Sequence, residues 1–103
     1  MTDLAAVDRH IQKGLEDSLS ELSGLVAQPS VAAQNLGMEK CADLVAGLLR
    51  RRGFTTEVMP SGGPPVVVAE RGGNSDRTLI IYNHYDVQPP EPLELWTSPP
   101  FEP

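Results

Sequence analysis

Leu4, Val7, Ile11, Leu15, Leu19, Leu22 and Val26 recur at steps of three and four residues. That spacing lines one face of an α-helix and predicts a helix over residues 3–27. Asp8, Arg9, Gln12, Lys13, Glu16 and Asp17 fall mostly on the other faces. Pro29 bars simple continuation of the helix and pushes Gln28 toward extended backbone. A connection follows over 30–37. Met38, Cys41, Ala42, Val45, Leu48 and Leu49 then mark the buried face of a second helix over 38–52. Gly53 is placed to end it, because glycine accepts the left-handed backbone of a helix terminus.

Beyond Gly53 the period drops to two. Phe54, Thr56 and Val58 alternate with Thr55, Glu57 and Met59, as in a half-exposed strand. The cluster Pro60-Ser61-Gly62-Gly63-Pro64 is a turn. Residues 66–70 form a second strand, antiparallel to the first because the link is short. A second turn, 71–76, precedes an apolar run over 78–83 that reads as a third and most buried strand. Two helices before about three strands predict an α/β fold, with the sheet packed against both helices. The tail 89–103 carries six prolines and reads as a mobile extended loop, neither helix nor central strand. Its Trp96 and Phe101 call for apolar partners.

With 103 residues, the chain is one domain at most, residues 1–103. A net charge of −6 argues against general nucleic-acid binding. The basic run Arg50-Arg51-Arg52 sits at a helix C-terminus, where positive charge complements the helix dipole. No apolar stretch approaches the length of a membrane span. The start Met1-Thr2-Asp3-Leu4 lacks the basic and apolar regions of a secretory signal. A single cysteine excludes an internal disulfide and suits a cytoplasmic location.

The candidate chemistry lies in Asn83-His84-Tyr85-Asp86-Val87-Gln88-Pro89, where the last apolar run ends. Alternate residues of a strand share a face, so His84 and Asp86 can meet there, with Tyr82 behind them. One reading is a metal-binding imidazole with a carboxylate holding its other nitrogen. The other is a hydrogen-bonded histidine beside a turn-capping aspartate. His10 reads as a surface or boundary residue of the first helix, and Cys41 as a small buried hydrophobe. Ser30 reads as a polar turn residue. Gly62-Gly63 lacks the Lys-Ser/Thr ending and the following helix of a phosphate loop.

The words around His84, with Trp96-Thr97-Ser98-Pro99-Pro100-Phe101 after them, resemble the first metal-ligand segment of one zinc metallopeptidase family. That family includes carnosinase-like dipeptidases, acetylornithine deacetylase, succinyl-diaminopimelate desuccinylase and carboxypeptidase G. Glu21-Leu22-Ser23-Gly24-Leu25-Val26-Ala27-Gln28-Pro29-Ser30-Val31, Leu48-Leu49-Arg50-Arg51-Arg52-Gly53-Phe54 and Pro65-Val66-Val67-Val68-Ala69-Glu70 are similar to earlier segments of it, in the same order. His-Tyr-Asp-Val-Gln-Pro is nearest the dipeptidase branch. The resemblance implies an N-terminal portion of a zinc-exopeptidase catalytic domain, with an incomplete sheet and without the lid or dimerisation domain. It makes His84 a zinc ligand and Asp86 the catalytic-site residue that clamps its ring. It also implies two zinc ions, a peptide or N-acyl amino acid substrate and possible homodimerisation in the complete enzyme. Ser30 lies near the cleft in that family. The other ligands and the general base belong to segments not found here, so the 103 residues alone are expected to bind zinc weakly and hydrolyse nothing. The competing expectation is a non-catalytic truncated α/β module that binds a protein partner.

Overall fold

A computed structural model describes residues 2–103. Helix α1 spans Leu4–Ala27, and Asp3 caps it by accepting a hydrogen bond from the Ala6 amide at 3.2 Å. The cap satisfies one of the amides that every helix start leaves unpaired. At the other end Gln28 is extended (φ −87°, ψ 111°), as the following proline dictates. The apolar stripe is present but uncovered: α1 has no buried residue, and Ile11 is 55% exposed.

The connection is wound tightly. A 3₁₀ turn, Ala32–Gln34, is closed by Asn35 at φ +50° and by a bridge between Val31 and Leu36. Gly37 follows at φ +69°, where an added Cβ would lie 2.0 Å from the Pro29 carbonyl oxygen. Only glycine fits that approach. Helix α2 then runs Met38–Arg51, one residue short of the expected end. Arg52 is its C-cap, and Gly53 at φ +82° takes the turn. The Phe54 amide donates to the Leu49 carbonyl and the Gly53 amide to that of Arg50, which is a Schellman ending.

Strands β1 (Thr55–Met59) and β2 (Val66–Glu70) form the expected antiparallel hairpin, with Thr55 opposite Glu70 and Met59 opposite Val66. Their inner faces lie against α2. The core is Val31, Met38, Cys41, Ala42 and Ala46. Val45, Leu48 and Leu49 are half-buried, and Ala46 was not among the face residues expected from periodicity.

Three expectations fail. The run 78–83 is not a strand: the sheet has two strands, and Leu79, Ile80, Ile81 and Tyr82 are exposed, Ile80 at 85%. A strand that is apolar on both faces needs ladder partners and a layer on each side. The described residues give 78–83 neither. Second, the sheet packs on α2, whereas α1 meets α2 and makes no comparable contact with the sheet. Third, the tail holds a 3₁₀ turn, Leu93–Leu95, in a stretch free of proline.

The result is an open arrangement. The Cα radius of gyration is 16.7 Å, against about 13 Å for a compact domain of this length. The accessible surface is 8738 Å², against roughly 5,700 Å² for a compact monomer of this mass. Among the described residues no helix is long and apolar enough to cross a membrane.

Candidate functional site

His84 and Asp86 meet. The ring Nδ1 of His84 lies 3.0 Å from Asp86 Oδ1 and 3.0 Å from the Asp86 carbonyl oxygen. Both partners are acceptors, so Nδ1 carries the hydrogen and donates it. In the neutral ring this leaves the lone pair on Nε2, on a side chain that is 75% exposed. The pair forms on an irregular segment and not at the end of a paired strand. Tyr82, expected behind the pair, is exposed and makes no hydrogen bond to it among the described residues.

Two bonds fix the segment to the body. The Val87 amide donates to the Ser30 carbonyl at 2.8 Å, and the Tyr85 hydroxyl donates to the Pro65 carbonyl. The tight connection holds the first acceptor and the entry to β2 holds the second. Ser30 is therefore a buried residue of the anchor, more than the polar turn expected of it. Its side chain lies beside the thiol of buried Cys41. Burial pushes the Cys41 thiol above its ordinary pKa, and the neighbouring Ser30 side chain pulls partly back. Burial likewise raises the Tyr85 phenol, with smaller contributions from the charges of Cys41 and Asp86. Tyr85 and the Ser30 carbonyl were missed from the sequence. A tyrosine beside a candidate ligand was the available signal, but no pattern names a partner 20 residues away.

The donor set fits one coordination position. His84 offers a free imidazole nitrogen held by a carboxylate, the usual form of a metal-binding histidine. Among the described residues no group of three or more His, Cys, Asp or Glu side chains is placed to hold a metal, and zinc needs at least three protein ligands. His10 is exposed on α1, and Cys41 lies in the core.

No family model matches the chain. Individual proteins do. A succinyl-diaminopimelate desuccinylase of Paracidovorax citrulli is 41% identical over 77% of this chain and 22% of its own length. One from Xanthomonas oryzae is 36% identical over 86% of this chain and 23% of its own. Among solved structures, an M20 family metallo-carboxypeptidase from Sulfolobus solfataricus superposes with a TM-score of 0.78 at 35% identity, over 82% of this chain and 20% of that one. The chain belongs to the M20 metallopeptidase family. It spans about a fifth of the length of the M20 relatives it matches. Two helices and an antiparallel hairpin are thus part of an M20 domain, with its sheet incomplete.

Proposed function

We propose that this chain contributes one metal ligand to a zinc-dependent M20 hydrolase that cleaves an amide bond. The observation that carries the reading is the His84–Asp86 pair, with Nδ1 held at 3.0 Å and Nε2 free. Within the pair, Asp86 fixes the tautomer and raises the basicity of Nε2, while His84 presents that nitrogen outward. A zinc ion, when bound, lowers the pKa of a coordinated water and polarises the scissile carbonyl. Two ions are proposed for the complete enzyme. The remaining ligands and the general base come from residues outside these 103, and the 103 residues alone are inactive.

The substrate is a peptide or an N-acyl amino acid. The wording around His84 favours dipeptides, whereas the desuccinylase names of the relatives favour a succinylated amine. Both have a secondary amide beside a carboxylate. The test is to assay the complete gene product on a dipeptide series and on N-succinyl amino acids, before and after chelation. The proposal expects turnover on one series, loss with the chelator and recovery with zinc. Turnover that survives exhaustive chelation contradicts it.

A further inference from the structure

Two hydrogen bonds join residues 78–103 to the rest of the described chain: Val87 to Ser30, and Tyr85 to Pro65. They flank Asp86 on either side in sequence, so the His84–Asp86 pair takes its position from these two points. It takes none from the residues before it, because 78–83 make no ladder. The Val87 bond is backbone to backbone and is open to any residue except proline. The Tyr85 bond depends on its side chain. Its hydroxyl donates to the Pro65 carbonyl oxygen, 20 residues away in sequence. The acceptor sits directly before Val66, which the hairpin pairs with Met59. The phenol is half-buried, with Cys41 of α2 and Asp86 close enough to act on its charge.

We propose that Tyr85 is a positioning residue for the metal ligand. Its hydroxyl latches the 84–86 backbone to the rigid start of β2, and this aims Nε2 of His84 at a fixed point. Without the hydroxyl the ring still fills its place, but the segment hangs from the Val87 bond alone. The proposal rests on the reading of His84 as a ligand.

The test uses the complete gene product, stripped of metal, and compares wild type, Tyr85→Phe and His84→Ala. Zinc affinity is measured by competition with a chelating dye, and the thermal midpoint of the metal-free protein is measured alongside. The His84-dependent site is the one lost in His84→Ala. Tyr85→Phe is expected to weaken that site by about 10- to 100-fold, the usual cost of losing an outer partner. Its metal-free midpoint is expected to stay at the wild-type value. Wild-type affinity in Tyr85→Phe, with the site lost in His84→Ala, overturns the latch and leaves His84 as ligand. A fall in the metal-free midpoint that accounts for the weaker binding makes Tyr85 merely structural and also overturns the latch. Wild-type zinc binding in His84→Ala overturns the ligand reading and the latch with it.

Discussion

Residues 30–70 and the stretches on either side of them both carry apolar patterns, with opposite outcomes. In the central stretch α2 closes on the hairpin, and Val31, Met38, Cys41, Ala42 and Ala46 leave solvent. In α1 and in 78–83, Leu4, Ile11, Leu19, Leu22 and Leu79 to Tyr82 stay exposed. The central partners lie within 40 residues of each other and are joined by tight turns, so closing them costs little chain entropy. The flanking stretches keep their apolar faces in water: α1 meets α2 without burying a residue of its own, and 78–83 join no ladder. A pattern says which face wants burial and leaves open what covers it.

Substitutions can break this contrast. Ala46→Asp places a charge where the structure has no exposure and no partner. It is expected to cost about 3 kcal/mol or more and to unfold the central unit, as read by denaturant titration. Gly37→Ala is next, since its Cβ would collide with the Pro29 carbonyl at a positive φ. It should cost about 2 kcal/mol and loosen the connection that holds the Ser30 carbonyl. Alkaline pH is milder. Burial raises the Cys41 thiol above its ordinary value, so the folded chain holds that proton more tightly than the unfolded chain. The stabilisation is present below roughly pH 8.5 and is lost as pH rises through the folded value. Cys41→Ala should flatten the part of the decline above pH 9 that the thiol causes, in unfolding curves taken from pH 7 to 10. Ile11→Asp is the smallest effect, under about 1 kcal/mol, because that face of α1 is already in water. A large loss from Ile11→Asp in this chain would show that the α1 stripe is covered in solution and would erase the contrast.

Much of the fold was legible locally. The long first helix, the exits at Pro29 and Gly53, the alternation through Thr56 and Val58, and the buried Cys41 all follow from spacing and backbone chemistry. The third strand was not, because an apolar run such as Leu79-Ile80-Ile81 marks a strand only when a ladder receives it. At the site, His84 and Asp86 were visible as a pair, and the structure brings them to 3.0 Å. Tyr85 and the Ser30 carbonyl were not visible, since their partners lie 20 and 57 residues away in sequence and only the folded chain brings them together.

The most direct measurement is the zinc content of the complete gene product, purified with and without His84→Ala, with turnover recorded on the same samples. The variant is expected to stay folded, to carry at least one equivalent less zinc than wild type and to lose turnover by about three orders of magnitude or more, on the order of a removed catalytic unit. Unchanged zinc content with near-normal turnover would contradict it.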